Sequence, residues 1–395
     1  MSSSDRVRYV LLIAFIPFLD NTIIPHIILN IYSSYLIYAI LGSSKGVLNS
    51  ICQLLERKNK ITFEAQRNIL DDANVLYFES KRDHKKVVSD TTTNIKFASF
   101  YEYWEFIKLY KYSVPLFYEN TMDTSIENKL LSLGLKEFKE EEFIPEFILA
   151  STLKEASGLY WKNGEDIFIK FVMQKSYFQP ETFNQIDYRY PIVIFINSEN
   201  HILEIRYDST RYNNNGLVSN DAYENMVNDC ISWIKNELGI DIYLCEHADI
   251  IQIINDKSNE DVKIYKQMMQ MDTGASAELT ASEGTDYVLP FIGELKELID
   301  ENEELFSQAE DIKKILLQYL ADKEATASYP YIYVKWVKPV ESQSYIVKVI
   351  FDYFNQKYTL LQHITGNCKD LGMERMNDAI KYLCTSGSFV KGEKI

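Results

Sequence analysis

Cys245-Glu246-His247, with Asp249 two residues on, is the densest run of potential ligands and nucleophiles in the 395-residue chain. Thiolate, imidazole and carboxylate suit a zinc ion, or a cysteine nucleophile with its base. A strand end with one buried thiol between exposed neighbours is the simpler reading and the one expected. Only five histidines occur, at 26, 84, 201, 247 and 363, and none lies within a turn of another. A helical metal pair is therefore excluded. Glu204-Ile205-Arg206, downstream of Asp187, echoes the clustered carboxylates and lysine of a metal-dependent nuclease, with Arg in the lysine's place. Residues two apart on a strand share a face, so pairing of Glu204 with Arg206 is the expectation. Gly42-Ser43-Ser44-Lys45-Gly46 has the wrong spacing for a phosphate loop. No dinucleotide fingerprint, H-E-x-x-H or G-x-S-x-G string is present. Neither metal nor cofactor is expected.

Two groups of residues suit nucleic-acid contact. Lys81, Arg82, Lys85 and Lys86 crowd one polar turn, supported by Arg57, Lys58 and Lys60 upstream. Phosphate contact needs such a patch. The second group is Tyr331, Tyr333 and Lys335, which alternate along an apolar run and so fall on one face of a strand. Aromatic and basic residues on an open sheet face can stack bases.

The elements that hold the first group are two helices and a hairpin. Val47, Leu48, Ile51, Leu54 and Leu55 have helical spacing, and Thr62 caps a second helix running to Ala73. Val75 to Phe78 and Val87-Val88 then flank the basic turn. Helix, helix and hairpin with a basic tip resembles a winged-helix unit. The resemblance covers about 45 residues by the span of these elements and carries no family-specific motif. It implies either nucleic-acid contact or a protein-interaction module.

The elements that hold the second group occur twice. Ile167-Phe168-Ile169-Lys170-Phe171 matches Ile332-Tyr333-Val334-Lys335-Trp336 in character, position by position. Identical triplets follow, Val193-Ile194-Phe195 and Val349-Ile350-Phe351. Each triplet leads through a polar turn into another apolar strand. A helix then closes each unit, Glu224 to Ile234 in one and Glu374 to Leu383 in the other. The order predicts an internal duplication, with the halves about a pseudo-twofold axis. In layout alone this is similar to the TATA-binding-protein saddle; no residue motif of that family is carried over.

The fold expected is therefore α+β. A helical, winged-helix-like region (1–96) and a helical connector (97–157) precede a first strand–hairpin–helix repeat (158–240). A helical insert (241–328) separates it from a second repeat (329–395), the repeats forming antiparallel sheet or sheets. Within the insert, Asn259 to Met271 reads as helix and 272–286 as a mobile, small-residue loop. Pro290 to Asn302 and Glu303 to Ala321 read as two more helices, and the acidic stretch between Glu294 and Asp311 as a solvated face. The 28 Tyr and 21 Phe favour substantial strand content.

A net charge of −16 repels nucleic acid and acidic membranes except at local basic patches. Five scattered cysteines without a C-x-x-C pair argue against a disulfide framework and for reduced thiols in the cytoplasm. Tyr9 to Leu19 imitates a signal peptide but lacks a small-residue cleavage site. The apolar stretch from Ile23 to Leu41 is interrupted by Pro25, His26 and Asn30. Buried helices are expected there rather than a membrane span. The function expected is a non-catalytic binding or assembly protein, with a protein partner or self-association, in contact with DNA or RNA. Two other classes stay open: a metal-dependent nuclease assembled from distant residues, and a membrane-associated protein anchored through residues 9–41.

Overall fold

The computed structural model describes residues 102–119, 125–139, 152–153, 155–156, 158–179, 184–210, 220–247, 250–256, 261–270, 274, 276–280, 292–326, 328–337, 344–353, 357–365 and 373–395. The winged-helix-like region, its basic residues Arg57, Lys58, Lys60, Lys81, Arg82, Lys85 and Lys86, and the apolar stretch 9–41 lie outside them. So does Asp249.

Among the described residues the chain is mixed α and β, built on one large sheet of thirteen strands that is antiparallel apart from the short β2–β3 pair. The first elements are α1 (102–107), β1 (Tyr112–Glu119), α2 (Ile126–Ser132) and β2 (Lys136–Glu137). The first unit comprises β3 (Gly158–Asn163), β4 (Asp166–Gln179), β5 (Asn184–Asn197), β6 (Ile202–Tyr207), α3 (Asn220–Trp233) and β7 (Asp241–His247). An insert carries α4 (Ile250–Asp256), β8 (Val262–Gln270), β9 (Ser276–Thr280), α5 (Ile292–Glu301), α6 (Glu303–Phe306) and α7 (Glu310–Thr326). The second unit is β10 (Tyr331–Trp336), β11 (Tyr345–Asp352), β12 (Tyr358–Thr365), α8 (Glu374–Thr385) and β13 (Phe389–Lys394).

Strand order runs β2-β3-β4-β5-β6-β1-β12-β11-β10-β8-β9, with β7 beside β1 and β13 beside β7. The keystone is β1, which lies between β6 of the first unit and β12 of the second. It was expected to fall in a helical connector. Both β6 and β12 run antiparallel to it, so they run parallel to each other. Pro115 is tolerated in this central strand because of where its nitrogen points. Tyr118 N–H donates toward the β6 side, to His201 O at 3.0 Å. Three residues earlier, Pro115 therefore faces the opposite edge. There the neighbour changes from β12 (at Tyr112 and Ser113) to β7 (from Leu116), so the missing donor breaks no ladder.

Side-chain alternation puts the two helices on opposite faces. Ile169, Phe171, Ile192, Ile194, Leu203 and Ile205 gather with Met226, Val227, Cys230, Ile231 and Ile234 of the first unit's helical segment. Ile332, Val334, Trp336, Val347, Val349 and Leu361 gather with Met376, Ala379, Ile380 and Leu383 of α8. That second cluster also takes Phe168, Val193, Phe195 and Ile202, the alternate residues of the first unit. Burying each large aliphatic chain contributes roughly 1.5–3 kcal/mol, so these helices are held by their apolar stripes. Accordingly β6, covered on both faces, is buried at all six positions, whereas β10 alternates between half-buried and buried.

From β4 and from β10 onward, both units run strand, strand, strand, helix, strand; β3 has no counterpart in the second unit. Ile167, Ile169 and Phe171 turn toward their own helix, as do Ile332, Val334 and Trp336. The identical triplets are not equivalent in register. Ile196 stands opposite Ile167, and Val349 stands opposite Ile332, so Val349 answers to Ile196 rather than to Val193. The closing strands differ as well: β7 runs parallel to β6, while β13 runs antiparallel to β12.

The insert departs from expectation at two places. Val262–Gln270, expected within a helix, is a strand, because Val262, Ile264, Gln267 and Met269 pack inward beside β10. Ser276–Thr280, expected within a mobile loop, pairs with it as β9. Residues 292–301 and 310–326 are helical, and Glu303, Glu304, Glu310 and Asp311 are exposed as expected of a solvated face. No helix among the described residues is long and apolar enough to cross a membrane.

Candidate functional site

Tyr331, Tyr333 and Lys335 share one face of β10, half-buried. The sheet surrounds them with further basic and aromatic side chains. On β8, Lys266 stands opposite Tyr333 and Lys263 opposite Lys335. On β11, Lys348 stands opposite Tyr333. A register shift at Tyr333/Val334 brings Tyr265 into reach, with Lys335 Nζ 5.4 Å from its ring centroid. Lys348 Nζ lies 3.5 Å from the Tyr331 centroid and 5.3 Å from that of Tyr333. Lys266 Nζ lies 5.5 Å from Tyr333. The two β10 rings meet edge to face at 5.7 Å. Ammonium groups held over ring faces gain about 0.5–1 kcal/mol each when exposed.

The face has one acidic corner. Glu278 on β9 pairs with Lys266 and accepts a hydrogen bond from Tyr331 Oη at 2.7 Å. Those contacts hold its carboxyl below the usual range, Lys266 being the larger cause. The same hydrogen bond pushes the Tyr331 phenol up to about 12. Burial draws the Lys348 ammonium down. Tyr331 and Tyr333 join none of the apolar clusters formed by the described residues. The residues around Met269, on the reverse side of β8, receive α5 and α7 instead.

The corresponding face of the first unit is closed. There Lys170 takes the place of Lys335, and Phe168 that of Tyr333. The α1 helix lies over it and delivers two carboxylates. Lys170 Nζ is 2.7 Å from Glu102 and 3.2 Å from Glu105; Arg189 is 2.5 Å and 2.7 Å from the same two. All four side chains are at most 3% exposed. Phe106 lies under the Lys170 ammonium at 4.3 Å. Two cations matched by two anions, with good geometry, form a buried and neutral cluster.

The residues that suggested hydrolytic chemistry are occupied structurally. Arg206 binds Glu204 at 2.8 Å, both fully buried, and Ser113 Oγ donates to Glu204 at 2.7 Å. Arg206 also donates to Asn377 of α8 at 2.6 Å and stacks 4.0 Å over Phe195. This chain of contacts ties β1, β6 and α8 together. Asp187 stands eight residues along β5 from Phe195, the partner of Glu204. At about 3.4 Å per residue that is about 27 Å away, so the nuclease-like layout does not assemble. Glu204 does line a small polar cleft of about 110 Å³ with Asp166, Asn197, Asp378 and Lys381. Among the described residues no group of three potential ligands is placed to hold a metal. Cys245 is buried at the end of β7 with Glu246 and His247 exposed, and burial pushes its thiol well up.

Sequence reasoning found three members of the Tyr/Lys face and missed Lys263, Tyr265, Lys266 and Lys348. The available signal was the period of two in Val262-Lys263-Ile264-Tyr265 and in Val347-Lys348-Val349. Compared with known proteins, the chain matches no family model, no curated protein and no solved structure.

Proposed function

We propose that this is a cytoplasmic, non-catalytic binding protein whose Tyr/Lys face on β8, β10 and β11 receives single-stranded nucleic acid. The observation that carries the reading is the grouping of Lys263, Lys266, Lys335 and Lys348 with Tyr265, Tyr331 and Tyr333 on one half-exposed face. The chain as a whole has net charge −16, so such a grouping is a local reversal of the molecule's field. Unpaired bases present π faces that stack on tyrosine rings, and the ammonium groups neutralise the intervening phosphates. A duplex keeps its base faces stacked inside and leaves the tyrosine rings nothing to stack on.

The finer architecture belongs to the same proposal. The two units are read as copies of one ancestral strand–hairpin–helix element; their common element order and the matched facing of Ile167 to Phe171 and Ile332 to Trp336 support this. The winged-helix-like segment, with Arg57, Lys58, Lys60, Lys81, Arg82, Lys85 and Lys86, is proposed as a second basic contact. Free Cys230, Cys245 and Cys384 fit a reducing compartment.

The test is fluorescence anisotropy of labelled DNA and RNA strands of about 12 nucleotides, a length within the usual range of sheet-based sites. Half-saturation is expected at roughly 1–100 μM protein, with affinity falling as salt rises. No binding at low salt overturns the proposal. A protein partner or self-association is the rival outcome; it predicts a co-purifying polypeptide, or an oligomer, lost on Tyr331→Ala/Tyr333→Ala.

A further inference from the structure

On the other face of the sheet, Arg375 is a buried cation with no counter-charge among the described residues. It is the second residue of α8, 4% exposed, and its Nε and Nη1 groups have no hydrogen-bond partner. Among the described residues no carboxylate pairs with it. The other buried cations among the described residues are answered: Lys170 and Arg189 by Glu102 and Glu105, Arg206 by Glu204. A guanidinium withdrawn from water with donors unmade costs several kcal/mol.

The surroundings of Arg375 are those of an anion site. The α8 N-terminus has Met373 at its cap position and no side-chain cap. Its first amide groups lack intrahelical acceptors, and the helix dipole places partial positive charge there. A side chain at the second helical position leans back toward that terminus. The guanidinium carbon of Arg375 lies 5.3 Å from the Tyr345 ring centroid, and Tyr345 in turn stacks on Trp336 at 5.0 Å and 3°. His363, near the end of β12, lies within electrostatic reach of Arg375, and its backbone N–H donates to Lys111 O at 3.3 Å. Met373 is fastened at the same end, its N–H donating to Ile107 O at 3.2 Å and its sulfur accepting from Tyr110 N–H at 3.2 Å. Burial, with Arg375 as the second cause, pushes the His363 imidazole down to about 4, so at neutral pH it adds no charge of its own.

We propose that Arg375 and the first backbone amides of α8 form a buried oxyanion subsite, closed by Tyr345 and His363, for a phosphate or carboxylate group. The anion accepts from the guanidinium and the backbone amides and neutralises a charge that no carboxylate among the described residues meets. This subsite is separate from the Tyr/Lys face, which lies on the opposite side of β10 and β11.

Thermal unfolding and calorimetry of the full chain, with inorganic phosphate or acetate added at constant ionic strength, test it. Phosphate or acetate is expected to raise the unfolding temperature of the wild type by linkage. Whichever of the two binds more tightly identifies the group. Arg375→Met, which keeps length and removes charge, is expected to abolish that response while unfolding at a higher temperature than wild type in anion-free buffer. A purely structural arginine predicts the reverse order of stability. Arg375→Lys keeps the charge but not the planar donors, and at least tenfold weaker anion binding is expected. No anion-dependent stabilisation of wild type, or an undiminished response in both variants, overturns the subsite. Neither result bears on binding at the Tyr/Lys face.

Discussion

Lys170 on β4 and Lys335 on β10 sit at matching places in the two units, yet they live in opposite environments. Lys170 is fully buried, fixed by Glu102 and Glu105 beneath α1. Lys335 is half-buried on a strand that keeps only one of its faces in the core. A helix with two carboxylates turns the first unit's face into interior. Among the described residues no helix covers the face that the second unit shares with β8, and four lysines and three tyrosines stay half-buried there. The same framework therefore supplies a core in one half and the proposed recognition surface in the other, and the deciding difference is what packs on it.

Replacing one acid under α1 gives the largest expected effect. Glu105→Gln leaves Lys170 and Arg189 buried with one carboxylate between them, and a loss of about 3–5 kcal/mol in denaturant unfolding is expected. Lys335→Gln, its counterpart on the other face, is expected to cost no more than about 0.5 kcal/mol. Equal losses from the two substitutions break the comparison. Next in size is Tyr331→Ala combined with Tyr333→Ala, which is expected to weaken oligonucleotide binding by roughly 10- to 100-fold in anisotropy titrations. An unchanged affinity removes the stacking role from these rings. Lys348→Gln is expected to flatten the dependence of log K on log salt by about 0.7, the contribution of one phosphate contact to a single strand. The smallest change is Glu278→Gln, which releases Lys266 and deletes the acidic corner; at low salt, binding about two- to threefold tighter is expected. Weaker binding with that variant assigns Glu278 to holding Tyr331 in place instead.

Local alternation made part of this legible from residues alone. Ile332-Tyr333-Val334-Lys335-Trp336 announces a strand with one apolar and one polar-aromatic face, and that is how β10 sits. The helices at Glu224 and Glu374 announce themselves by their apolar stripes. Two physical facts hid the rest. Lys, Gln and Met favour helices, so Val262–Gln270 reads as helical until β10 lies beside it and tertiary pairing overrides propensity. Charged residues are normally exposed, so nothing near Lys170 or Arg189 in sequence marks them as buried. Their partners lie 65 to 87 residues earlier in the chain, on α1. The equal triplets misled for a related reason: short β-branched and aromatic runs fit either face of a sheet, and only the register tells which.

The position of β1 has a consequence for how the protein is made. Leaving the ribosome first among the described strands, it must wait for β6, then β7, and last for β12, whose Gln362 meets Tyr112 across 250 residues of chain. At a synthesis rate of about 5–20 residues per second, that interval is roughly 12–50 seconds. Until then part of its rim is a bare ladder of amides and carbonyls, open to any other extended chain. Expression conditions that slow translation between the two halves should accordingly favour insoluble product, and a chaperone able to shield a strand margin should relieve it.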